Sequence, residues 1–102
     1  MTASPPDLPS GRIPVHLFPL GDVSATPGVL DAVPWEELLA ALARHAAGDW
    51  GPLDEHDRRA NDRALQDGSR LLSAYESKSG VRFWIITEHD RSHTTFLLPE
   101  EY

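Results

Sequence analysis

The 102-residue chain has no cysteine, one methionine and few positive charges, with nine Lys and Arg against sixteen Asp and Glu. The missing cysteine excludes disulfides, thiolate zinc sites and a cysteine nucleophile. No apolar run approaches the roughly 20 residues that span a bilayer, so no membrane segment is expected. The N-terminus lacks a positive region followed by an apolar run, so no secretory signal is expected either. These features predict a soluble cytoplasmic protein. Also missing are a phosphate-cradling glycine loop, a nucleophile elbow, a HExxH motif and any zinc-ligand spacing. No catalytic residue, metal site or cofactor is therefore expected. The formal charge of −7 repels phosphate backbones at long range and argues against nucleic acid as a partner. An acidic surface suits a basic protein partner, and it also serves solubility alone. The length fits one domain, since ordinary domains run roughly 100–150 residues.

What is present begins after a tail. Residues 1–11 (MTASPPDLPSG) carry three prolines and almost nothing to bury, which predicts a flexible tail ahead of one domain over 12–102. Ile13, Val15 and Leu17 alternate with Pro14 and His16, the pattern of a short edge strand, because Pro14 cannot donate to a ladder. Prolines and glycines break up 19–28, leaving a turn and a short extended piece at Val23–Ala25. A helical turn is expected over 29–33. Pro34 then opens a longer helix, with Glu36 and Glu37 favoured by the dipole in its first turn. Trp35, Leu38, Leu39, Leu42 and Ala46 form its apolar stripe. Arg44 and His45 fall in the last turn, and Gly48 is the stop. A turn at 49–52 places Trp50 where it can be exposed, whereas Trp35 and Trp84 read as core residues.

Asp54 caps a further helix that runs to about Asp67 and stops at Gly68. Its inner face is Asp57, Ala60, Asn61, Ala64, Leu65 and Gly68, and a buried Asn61 there requires hydrogen-bond partners. Three strands complete the chain. Leu71–Glu76 and Val81–Glu88 are joined by the hairpin connection Ser77–Gly80, and Thr94–Leu98 returns after a polar loop. The β-branched and aromatic run VRFWIITE has the composition of a central strand. The predicted class is α+β in the order β-α-α-β-β-β. A three-stranded antiparallel meander at the C-terminus is expected, with two helices packed on one face.

Two polar clusters offer chemistry. In the loop Glu88-His89-Asp90-Arg91-Ser92-His93, a histidine that titrates near neutrality lies beside an arginine suited to anions. The same residues also read as a charged hairpin loop in which Asp90 accepts from the turn backbone and Arg91 pairs with an acid. Metal binding fits them poorly, because a structural zinc site normally takes four ligands. Along the helix, Arg59 and Arg63 are one turn apart, but Glu55–Arg59 and Arg58–Asp62 stand at ion-pairing spacing. Asn61 is the exception on that helix, because its inward position invites a bond to the sheet or to the 88–93 loop. The candidate interaction site is thus Asn61, Glu88, His89, Asp90, Arg91 and His93.

Three blocks, FPLGDVSATPG, GDWGPLDEHDRRANDRAL and RLLSAYESKSGVRFWIITEHDRSHTTFLLPEEY, resemble a group of short bacterial proteins of plasmids and other mobile elements. That group is labelled "plasmid-related protein" and sometimes "type I restriction endonuclease subunit M". The second label finds no support in the residues: a methyltransferase subunit needs a cofactor-binding domain and a catalytic motif, and this chain holds neither. The resemblance covers residues 18–102 and carries no activity. At the level of element order the chain is also similar to RelE-type toxin ribonucleases. That likeness would single out Arg82, His89, Arg91 and His93, although fold order does not imply function. The expectation is a small acidic protein of mobile elements that acts non-enzymatically by binding a protein partner, in host-defence interference or plasmid maintenance. The alternative is a RelE-like ribonuclease.

Overall fold

The computed structural model describes residues 16–102. In chain order these form β1 (Asp22–Ala25), α1 (Pro27–Ala32), α2 (Trp35–Ala46), α3 (Glu55–Asp67), β2 (Leu71–Glu76), β3 (Arg82–Thr87) and β4 (His93–Leu97). A 3-10 turn, Pro99–Glu101, follows. The four strands make one mixed sheet in the order β1-β4-β3-β2. The expected C-terminal meander is present: β2 pairs antiparallel with β3, and β3 with β4. β1 adds to it in parallel, with Asp22 opposite His93 and Ala25 opposite Phe96. The α+β class therefore holds. The strand expected from Ile13 begins outside the described residues, as does the tail, and its far end at Leu17 and Phe18 is not in a strand. The strand that joins the meander is instead the short extended piece at 22–25.

Local signals set the helix limits. Thr26 accepts from the backbone N–H of Val29 and caps α1, which has proline in its first turn. Asp54 accepts from the N–H of Asp57, and Gly68, in the left-handed region at φ 79°, ends α3. The limits at Asp54 and Gly68 match the sequence because capping depends on a few adjacent residues, whereas α1 starts two residues before the helical turn expected over 29–33.

α1 and α2 cover one face of the sheet. Val29, Val33, Leu38 and Ala41 meet Tyr75, Phe83, Ile85 and Phe96 in one buried cluster. A second cluster joins Ala64 of α3 to Leu71, Phe18 and Trp50. α3 reaches that face through Ala64 but runs along the β2 edge, where Asn61 takes the place of a neighbouring strand. Asn61 Nδ2 donates to Leu72 O at 2.6 Å, and Leu72 N–H donates to Asn61 Oδ1 at 3.1 Å. Two residues along β2, Ala74 N–H donates to Trp50 O at 3.1 Å. That approach requires glycine at 51: its φ is 77°, and a Cβ would stand 1.8 Å from Ala74 O. The loop into β1 has a similar demand, since a Cβ on Gly21 (φ 65°) would lie 2.3 Å from the Ser92 carbonyl.

Two tryptophans exchange their expected places. Trp50 is 5% exposed and Trp35 is 52% exposed. Trp35 does lie on the α2 stripe, three residues before buried Leu38. However, it is the first helical residue and stands beside β1, where the sheet ends. Periodicity chooses the side of a helix and does not say how far the sheet extends beneath it. Trp50 is pulled inward because its carbonyl closes the β2 edge, while its indole N–H donates to Asp62 at 3.1 Å.

Candidate functional site

The 88–93 loop folds around Arg91, whose backbone is left-handed at φ 61°. Its side chain turns inward and does not face an anion. One terminal nitrogen donates to Ser69 O at 2.6 Å and to Glu88 O at 3.1 Å. The other donates to Ala64 O at 2.9 Å, in the last turn of α3. The guanidinium also lies 5.7 Å from the Phe18 ring centroid. Arg91 thus pairs with three carbonyls, whereas the sequence suggested an acid. A cation at the C-terminal end of a helix is favourably placed.

The rest of the loop is turn chemistry with an exposed rim. Asp90 accepts from Ser92 N–H at 3.0 Å and from Ser92 Oγ at 2.6 Å. These bonds hold its carboxyl below the usual carboxylate range. Ser92 Oγ continues to His93 Nδ1 at 3.1 Å, and His89 and His93 are exposed. Glu88 closes the turn, its N–H donating to His93 O at 3.0 Å. Glu88, Asp90 and Arg91 therefore share one loop, and His93 opens β4 where that loop ends. Asn61 stands apart from them on the β2 edge and chooses the sheet over the loop. Arg91 is the link between the loop and α3, one turn beyond Asn61.

The most concentrated polar chemistry lies elsewhere, under α2. His45 is fully buried. Its Nδ1 is 2.5 Å from Ser73 Oγ, and its Nε2 is 2.9 Å from Thr87 Oγ1. Thr87 Oγ1 is 2.7 Å from Thr94 Oγ1, which donates to Leu20 O at 2.7 Å. Counting protons fixes the direction of the bonds from Thr94 back to His45 Nε2. Thr94 gives its only proton to a carbonyl, so it accepts from Thr87; Thr87 must then accept from His45. That places an imidazole proton on Nε2, and because burial keeps the ring neutral, Nδ1 accepts from Ser73. Burial, aided by the charge of Arg91, lowers its pKa to about 4. Phe18 and Trp50 pack around the ring at 5.3 and 5.8 Å between centroids.

Sequence reading placed His45 at an ordinary helix end. The signal that could have found it is its spacing: seven residues after Leu38, it falls on the buried stripe of α2. No solvent reaches the ring, so the seam acts as a polar core joining β2, β3, β4 and the loop leading into β1. A buried network with every member satisfied fixes one register.

Two of the surface depressions bear on binding. A groove of about 440 Å³ lies between α3 and the uncovered sheet face, with Leu72, Arg82 and Trp84 as floor and Asp54, Asp57 and Ala60 as wall. Asp54, His56 and Asp57 gather at its exposed rim, with one possible ligand atom each within 4.8 Å of one another. Asp54 already caps the helix there. A slot of about 240 Å³ lies beside β1, lined by Val23, Ala25, Leu30, Trp35 and Phe96. Among the described residues no helix is long and apolar enough to cross a membrane. Comparison of the chain with protein-family models, curated proteins and solved structures returns no match.

Proposed function

We propose that this chain is a non-enzymatic, protein-binding regulatory factor of bacterial mobile elements, acting in host-defence interference or plasmid maintenance. The mobile-element setting follows from the resemblance of its three sequence blocks. The observation that favours binding is the end of the sheet at β1. There Val23, Leu30 and Trp35 are large apolar residues exposed to solvent, and the exposed rim of the 88–93 loop adjoins them through the pairing of Asp22 with His93. Apolar side chains gathered on an acidic surface are the usual mark of an interaction site.

A RelE-like ribonuclease has less support. Arg82 opens β3 while His89 lies beyond its far end, a separation of about 20 Å at the rise of a strand. Arg91 is engaged by carbonyls. The four residues singled out by that likeness do not converge on one scissile phosphate.

Affinity capture with the folded chain from plasmid-bearing cells tests the proposal. It should return one identified partner whose complex re-forms from purified components. Failure to obtain such a partner overturns the reading. Growth arrest on expression, abolished in Arg91→Ala/His93→Ala, would support the ribonuclease in its place.

A further inference from the structure

β1 is the end strand of the sheet, and among the described residues nothing pairs with its outer side. Its inward bonds alternate. Asp22 N–H donates to Ser92 O at 2.9 Å, and Thr26 N–H donates to Phe96 O at 3.0 Å. By that alternation the backbone N–H and C=O of Val23 and Ala25 point away from the sheet. The slot lined by Val23, Leu30 and Trp35 runs along the same edge. Backbone groups that can extend a ladder therefore stand beside a place for apolar side chains, the two parts of strand addition.

Charge selects the occupant. None of residues 16–43 is Lys or Arg. An exposed acid stands next in the chain to each of the slot's three exposed large apolar residues: Asp22 beside Val23, Asp31 beside Leu30 and Glu36 beside Trp35. A second copy docking here would set these acids against themselves, and like charges brought together oppose association. A basic segment would meet them favourably.

We infer that the open β1 edge and its apolar slot form a docking site for an extended segment of a partner protein that carries Lys or Arg among β-branched apolar residues. The inference rests on the protein-binding reading and deepens it.

The test is selection of a displayed library of random short peptides on the full chain. Enriched peptides should combine Lys or Arg with Val or Ile, and their affinity should fall as salt is raised. Trp35→Ser should weaken them about tenfold or more, as expected for an aromatic anchor. Val23→Pro removes one outward N–H without touching the ladder to β4, and it should weaken them similarly. Arg82→Ala, on the other face, should leave binding unchanged.

The inference is overturned if no peptide is enriched, if the enriched peptides are acidic, or if both edge variants bind normally. A concentration-dependent dimer lost in Trp35→Ser would make a second copy the occupant. Slow amide exchange at Val23 and Ala25 in the monomer would make the chain itself the occupant. Either result also overturns the inference. A cellular partner held equally by wild type and Trp35→Ser sinks this site while leaving the protein-binding reading intact.

Discussion

The two edges of one sheet are treated in opposite ways. At β2 the chain closes its own edge: Asn61 engages both backbone groups of Leu72, and Trp50 O accepts from Ala74 N–H. At β1, four residues long, the outward groups of Val23 and Ala25 face no described partner. Unpaired strand edges invite association, and proteins commonly cover them or keep them short. The difference teaches where to look for function. The closed edge uses its polar and aromatic residues for folding, while the other edge keeps its apolar residues in solvent.

Substitutions at the closed edge should therefore lower stability, and those at the open edge should lower binding. Gly51→Ala should have the largest effect. Its φ is positive, and the added Cβ would collide with the Ala74 carbonyl, so about 3 kcal/mol should be lost in urea unfolding. The seam crossing from β2 towards β1 should show itself through pH. Because the folded pKa of His45 is lowered to about 4, the unfolded chain takes up a proton below about pH 6.5 and the folded chain does not. Stability should be full above about pH 6.5 and fall by about 3 kcal/mol as pH drops towards 4. His45→Gln should flatten that slope.

Asn61→Ala should cost about 2 kcal/mol, since it leaves both backbone groups of Leu72 without their partner. Amide exchange at Leu72 should quicken, turning the closed edge into a second open one. Arg91→Met removes the bonds to Ala64, Ser69 and Glu88 and should cost about 1 kcal/mol. It should also raise the His45 pKa, readable by NMR titration, because a nearby positive charge is gone. Trp35→Ser, at the open edge, should change stability by less than about 0.5 kcal/mol. A loss of several kcal/mol there would mean that Trp35 belongs to the core and that the contrast between the edges is false.

Much of this was legible in the sequence. Asp54, Gly68 and the Ser77–Gly80 connection marked their boundaries because caps and turns are decided by neighbouring residues. The β-branched and aromatic composition of VRFWIITE announced a central strand. The loop from Glu88 to His93 was correctly located, and its Asp90 turn was one of the two readings the residues allowed. The destination of Arg91 was not legible, because the carbonyls it binds at Ser69 and Ala64 lie 22 and 27 residues away. Asn61 was flagged as needing a partner, yet Leu72 was one of several choices. His45 was overlooked because a histidine in the last turn has a sufficient local explanation in the helix dipole.

By itself the sequence determined the two longer helices, the three C-terminal strands and their antiparallel meander, the α+β class and the acidic charge. These follow from local propensity, from periodicities of 2 and 3.6 residues, and from counted charge. Only the tertiary structure decided which edge is closed, that Trp50 is buried while Trp35 is bare, and that His45 is neutral with its proton on Nε2. Each of those depends on how far one element reaches over another. Burial, unlike propensity, is a property of the neighbours a residue meets and not of the residue.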